Sequence, residues 1–144
     1  MNYIIVDALP GHVNMLVESL READADECRS FGKPPKKAIW FSFRRSLIRK
    51  AAFVDGEIAA MWGIGGTALG TIGDLWLMTT PAIERAPFAF IREARREVAE
   101  ALELFPAVRG FLSCDYTAAV RFVKLLGFSL RPFGDGFAVF EKVR

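Results

Sequence analysis

One histidine, two cysteines and a formal charge of only +2 mark what this chain has little of. His12 stands at the start of a predicted helix with no cysteine or paired carboxylate at ligand spacing, which argues against a His-dependent triad and against a zinc site. Cys28 and Cys114 are too few for a disulfide scaffold, and no leader with a basic start and an uninterrupted apolar stretch precedes the first strand. Folding in a reducing cytoplasm is expected. Every apolar run meets a charge or a glycine well before the ~20 residues that a membrane-spanning helix needs, so no membrane partner is expected. The small net charge does not by itself imply nucleic acid. What the chain does have is apolar residues, 52% of 144, without repeat, linker or low-complexity segment. One domain over 1–144 follows, large enough to bury about two thirds of its unfolded surface.

Tyr3 to Ala8 reads as a strand closed by Leu9-Pro10-Gly11, and a helix follows from about His12 to Arg21. Asp24 to Phe31 adds a helical turn or two. A second full helix runs from about Lys36 to Arg45 with Ile39, Trp40 and Phe43 inward. Leu47–Val54 and Glu57–Ile64 flank Asp55-Gly56, a strong signal for a two-residue hairpin. Gly63, Gly65, Gly66 and Gly70 are expected to make a loose connection into a strand, Ile72 to Met78, covered on both faces. Pro87 opens a long helix to about Phe105, with Phe88, Ile91, Ala94, Val98, Ala101, Leu102 and Phe105 at helical spacing. Val108–Cys114 is a buried strand, with Cys114 read as a core thiol. Thr117–Leu126 is a helix ended by Gly127, and Phe128–Phe133 and Phe137–Lys142 are the last strands. Trp62 and Trp76 read as core. The fold class is α+β, a mixed and largely antiparallel sheet with helices on both faces.

The order of these elements, together with Ala119-Val120-Arg121-Phe122-Val123-Lys124-Leu125-Leu126-Gly127-Phe128, resembles the GNAT superfamily of acyl-CoA-dependent N-acyltransferases over about Ala51 to Lys142. The resemblance implies acetyl-CoA as cofactor, its pantetheine arm on main-chain groups near Leu77, Met78 and Thr79. It implies a glycine-rich turn where this chain has Ile83-Glu84-Arg85-Ala86-Pro87-Phe88-Ala89. Bare amides at a helix N-terminus can reach a pyrophosphate. Proline has no amide to donate, Glu84 adds like charge, and Arg85 and Phe88 add bulk. Losing two charge-assisted bonds of roughly 1.5–3 kcal/mol each weakens binding by about two to four decades. Arg85 reads either as a compensating phosphate partner or as a solvated side chain, and Ala86, Phe88 and Ala89 complete the predicted cofactor turn.

The family's acid, a tyrosine on the late helix, falls at Val123. Tyr116, one or two turns earlier, reads either as lining the same cleft or as an aromatic packed at the strand-to-helix junction. Asp74 and Asp115 are the carboxylates available as a base, against simpler readings as a strand-edge charge and a helix N-cap. The chain is also similar to small GNAT-like proteins of short-tailed bacteriophages encoded among internal virion genes, which share the glycine-poor turn and an arginine-phenylalanine pair, here Arg121-Phe122.

Charge is uneven near the N-terminus. Glu18, Glu22, Asp24, Asp26 and Glu27 precede Arg29, Lys33, Lys36, Lys37, Arg44, Arg45, Arg49 and Lys50. Interleaved with Phe31, Trp40, Phe41 and Phe43, the basic group over 29–50 suits nucleic acid or an acidic partner, or is a solvated face over core aromatics. Trp40-Phe41-Ser42-Phe43 cannot bury all three rings on one helix face. Opposite patches on one molecule also permit self-association. The leading expectation is an internal virion or assembly component working through phage structural or assembly proteins, in host cytoplasm or virion, with a degenerate acetyl-CoA loop. The alternatives are an active N-acetyltransferase with a non-standard cofactor loop and a nucleic-acid-binding module.

Overall fold

Strand β1 (Tyr3–Asp7) leads through helices α1 (Pro10–Ser19), α2 (Glu22–Ser30) and α3 (Pro35–Arg45) into the hairpin β2 (Ile48–Val54) and β3 (Glu57–Gly66) of this computed structural model. Then come β4 (Ile72–Thr79), a 3-10 turn (Pro81–Arg85), α4 (Pro87–Leu104), β5 (Ala107–Ser113), α5 (Thr117–Leu125), β6 (Ser129–Pro132) and β7 (Phe137–Val143). The structure describes residues 2–66 and 72–144.

The strands form one seven-stranded sheet in the order β1-β2-β3-β4-β5-β7-β6. Each pairing is antiparallel except β4 with β5, which is parallel. The hairpin turn is the one its sequence predicts, since Asp55 (φ 49°) and Gly56 (φ 83°) both adopt the left-handed conformation that a type I′ turn requires. Helix α5 ends as its sequence predicts too. Gly127 (φ 90°) donates to the Lys124 carbonyl and Phe128 to that of Val123, so two orphan carbonyls are satisfied.

Side chains alternate across β2 and β3, and the two faces carry different cores. Ala51 and Met61 face α1 and α3, where Val13, Leu16, Ile39 and Phe43 are buried. Ala52, Ala60 and Trp62 face the opposite way, toward Ile83, Ala86 and Phe90. Helices α4 and α5 share that second face through Val98, Leu102, Val123 and Leu126, which pack on Val108, Leu112 and Phe140. Helices thus cover both faces.

Three local expectations are corrected. Gly63, Gly65 and Gly66 belong to β3 and not to a loose connection, while Gly70 lies outside the described residues. At Gly63 a Cβ would come within 2.6 Å of Ser46 Oγ and 2.9 Å of the Ile48 carbonyl, so close packing explains that glycine. The helical turn or two expected over Asp24 to Phe31 is present and forms most of helix α2. The inward stripe of α4 does not include Phe88, which is 85% exposed; Phe90 takes its place, stacked on Phe122 at 4.9 Å. Cys114 lies exposed beyond the end of β5 and is not a core thiol.

Candidate active site

The sheet opens where β4 and β5 part. Parallel pairing joins Ile72, Gly73 and Asp74 to Ala107, Val108 and Arg109 and goes no further, although β4 continues to Thr79 and β5 to Ser113. Gly110 sits at the fork. A Cβ there would lie 2.7 Å from the Leu75 carbonyl and collide with the Phe140 ring. Beyond the fork, β4 keeps β3 on one edge and β5 keeps β7 on the other, so the facing edges have no strand between them.

A cavity of about 860 Å³ fills this opening, lined by Glu27 and Phe41 from one face of the sheet, Met78 and Thr79 from β4, and Phe90 and Phe122 from the other face. It therefore runs through the sheet. The walls are mostly apolar, and the titratable groups gather on the α2 side.

Asp24 is buried, and its Oδ2 accepts hydrogen bonds from Thr79 Oγ1 (2.9 Å) and Tyr116 Oη (2.9 Å). Burial raises its pKa, opposed by those two donors and by the charge of Arg21. One helical turn on, half-buried Glu27 accepts from the Ser113 amide of β5 at 2.9 Å. Burial lifts its pKa to about 7, the Ser113 amide pulls the other way, and Asp24 adds to the rise. Cys28, beside Met78 with its Sγ 3.9 Å from the thioether sulfur, is pushed to about 11 by burial and by both carboxyls. Its thiol stays protonated at neutral pH. Tyr116 is raised as well, by burial and then by the charge and hydrogen bond of Asp24. Two carboxyls with raised pKa values thus share one cleft, Asp24 held by two side-chain donors and Glu27 by one strand amide.

The residues singled out from sequence fall on both sides of this boundary. Tyr116 lines the cavity, as do Leu77, Met78 and Thr79, whose strand edge is open toward β5. Asp74 also lines it but forms an ion pair with Arg109 at 3.1 Å. Asp115 is exposed and does not cap α5: the N-cap residue is Tyr116, with no side-chain cap. Arg85 points to the β2–β3 hairpin, bonded to the Val54 carbonyl (3.2 Å) and paired with Glu57 (3.3 Å). Ala86 is buried, and its amide is taken by the Ile83 carbonyl. With Pro87 lacking an N–H, the first turn of α4 leaves the amides of Phe88 and Ala89.

The acidic residues missed as chemistry were Asp24 and Glu27, read from sequence only as part of a charged patch. Their spacing, three apart on one face of a helix with Cys28 adjacent, was the available signal. In the basic stretch, Arg29 pairs with Asp26 and Glu22, and Lys50 with Asp7. Lys33 and Arg45 lie over the Phe41 ring, Arg44 over Trp40 and Arg49 over Phe43. Phe41 is the ring of its trio left 46% exposed, as the helix geometry requires.

The open β4 edge suits the amides of a pantetheine arm, which can add to a strand as a peptide does. The nucleotide end is less well provided, since among the described residues no cation of α4 or α5 lines that part of the cavity, and Phe88 and Ala89, which carry the free amides, are not among its lining residues.

No protein-family model and no curated protein matches the sequence. Solved structures do match. The chain superposes on the PaiA N-acetyltransferase of Thermoplasma acidophilum in complex with coenzyme A, at 14% identity and TM-score 0.73, covering 100% of both chains. It is similar to a phosphinothricin acetyltransferase of the GNAT superfamily from Sinorhizobium meliloti in complex with AcCoA, at 14% identity and TM-score 0.72, over 99% of this chain and 89% of the other. A GNAT-family acetyltransferase of Streptococcus pneumoniae gives 18% identity and TM-score 0.64 over 99% of each. The forked sheet with helices on both faces is accordingly the GNAT fold.

Proposed function

We propose that this protein is an N-acyltransferase that moves an acyl group from a pantetheine thioester, acetyl-CoA in the first instance, to an amine. The observation that carries the reading is the cavity through the forked sheet with Glu27 and Asp24 in its wall. A thioester and an amine brought to opposite ends of such a passage meet away from bulk water. Acetyl-CoA supplies an activated acyl carbon, and main-chain groups along Leu77–Thr79 are suited to hold its arm.

Glu27 is the group proposed as base. A carboxylate titrating at about 7 takes a proton from the incoming amine at working pH far better than one in its usual range. The nitrogen of the neutral amine bonds to the acyl carbon as Glu27 takes its proton, the carbon–sulfur bond breaks, and the electron pair leaves on sulfur. Glu27 can return its proton to that thiolate, whose pKa near 8.5 lies above that of the carboxyl. Tyr116 is a poorer acid for this step because Asp24 and burial hold its proton. Its place is to position Asp24.

An assembly role in a phage particle uses only surface. Such a role gives no reason to keep two carboxyls desolvated in an open cleft, where burial costs stability. The comparisons likewise lean toward transfer chemistry, since the similar structures are acetyltransferases, some in complex with CoA or AcCoA.

The test is thiol release from acetyl-CoA with a panel of primary amines, read beside calorimetric binding of CoA. Amine-dependent release supports the reading. Binding of neither CoA nor acetyl-CoA at millimolar concentration, with no release, would sink it.

A further inference from the structure

We infer that the donor is recognised through its acyl-pantetheine portion and that the nucleotide contributes little to binding, so that pantetheine thioesters lacking the nucleotide are accepted as donors. The inference rests on the acyltransferase reading above and goes further by naming which half of the donor the protein grips.

The acid–base groups lie on the α2 side of the passage, so the arm leaves along β4 toward the face covered by α4 and α5. Its amides meet a strand edge with no neighbouring strand there, from Leu75 to Met78, while the Thr79 carbonyl is taken by the Arg21 amide at 3.1 Å. Beyond that edge a diphosphate finds little. Pro87, Phe90, Ile91, Ala119 and Phe122 line this half, and none carries charge. The cations that line the cavity among the described residues are Arg21, Lys33 and Arg45, all from the α1–α3 segment.

The two charges of the 3-10 turn are already committed. Arg85, the cation closest in sequence to the first turn of α4, is held by Glu57 and the Val54 carbonyl on the far hairpin. Glu84 lines the cavity with its carboxylate exposed and shares Arg21 at 3.5 Å, so the rim is not cationic. Two amides, those of Phe88 and Ala89, are what the helix start offers. A diphosphate carrying two negative charges or more loses its water for two neutral donors beside a like charge, which gives little net attraction.

The experiment compares CoA with pantetheine by calorimetry, and acetyl-CoA with S-acetylpantetheine in amine acylation, on the intact chain. Adenosine 3′,5′-bisphosphate serves as a nucleotide-only competitor. Affinity and kcat/KM for the two donors are expected to agree within about tenfold, less than the two decades that losing two charge-assisted contacts brings. The bisphosphate is expected not to displace CoA. A loss above tenfold on removing the nucleotide, or displacement by the bisphosphate, overturns the inference while leaving the acyltransferase reading standing. Binding of neither donor overturns both.

Discussion

The two ends of the cleft differ in what they are built from. On the α2 side, two carboxyls, a threonine, a tyrosine and a strand amide are joined in short hydrogen bonds. On the α4–α5 side the wall is aliphatic and aromatic, with Phe90 and Phe122 stacked face to face. The first end is specified by polar geometry, in which each group fixes its neighbour. The second is specified by packing alone, so it shapes a ligand without orienting charge. A protein can lose directed contacts to one end of a ligand and keep its chemistry only if the reacting end stays furnished, and that is the distribution found here.

Changing Glu27 gives the largest expected effect. Glu27→Gln should lower kcat/KM for amine acylation by about two to four decades, the usual worth of a positioned base. The same change should raise the melting temperature at pH 8. The folded-state pKa of Glu27 lies above its unfolded value of 4.5, so the folded protein binds more protons between 4.5 and about 7. Stability contributed by this carboxyl falls as pH rises through that window and stays lost above it. Neutral glutamine removes the loss, and a thermal scan at pH 5 and pH 8 shows whether the difference is larger at the higher pH.

The fork should be the next most sensitive place. Gly110→Val places side-chain atoms against the Leu75 carbonyl and the Phe140 ring, and overpacking of this kind costs roughly 1–3 kcal/mol. Urea denaturation reads it, and a variant as stable as the parent would show that the fork is not set by close contact.

Smaller effects separate positioning from chemistry. Tyr116→Phe removes one of the two side-chain donors to Asp24, a loss of about 1–3 kcal/mol in stability for a buried acceptor. Its rate should fall by about tenfold, far less than for Glu27→Gln, because an orienting contact and not the base is lost. A Tyr116→Phe rate as low as that of Glu27→Gln would instead make the tyrosine the acid. The smallest effect belongs to Arg85→Ala, expected to change CoA affinity by under about twofold and stability by under about 1 kcal/mol, as for a surface ion pair. A larger drop in CoA affinity would place that guanidinium on the phosphates.

Much of the fold was legible because its signals are local. Asp55-Gly56 can be little else than a tight turn, Pro87 sits at the first position of α4, and Gly127 is the left-handed residue after α5. The errors came where distant chain decides local form. Gly63 and Gly66 look like loop residues until Trp76, Ser46 and Phe105 are brought beside them. Phe88 has the helical spacing of a core residue, but the partner ring Phe122 lies opposite Phe90.

The site was harder to read for the same reason. Tyr116 was found through its place before the late helix, whereas Asp24 is 92 residues away in sequence and its bond to that tyrosine leaves no local trace. Glu27 and Ser113 are 86 residues apart. Sequence alone showed an acidic patch, and burial turned two of its members into titratable chemistry.

The most direct test is the pH dependence of amine acylation by the parent protein and by Glu27→Gln, under conditions where the amine's own ionisation is held fixed or corrected for. The account predicts a rate that rises with pH through an apparent pKa near 7 in the parent and loses that step in the variant. Undiminished acylation by Glu27→Gln with the same pH step would contradict it.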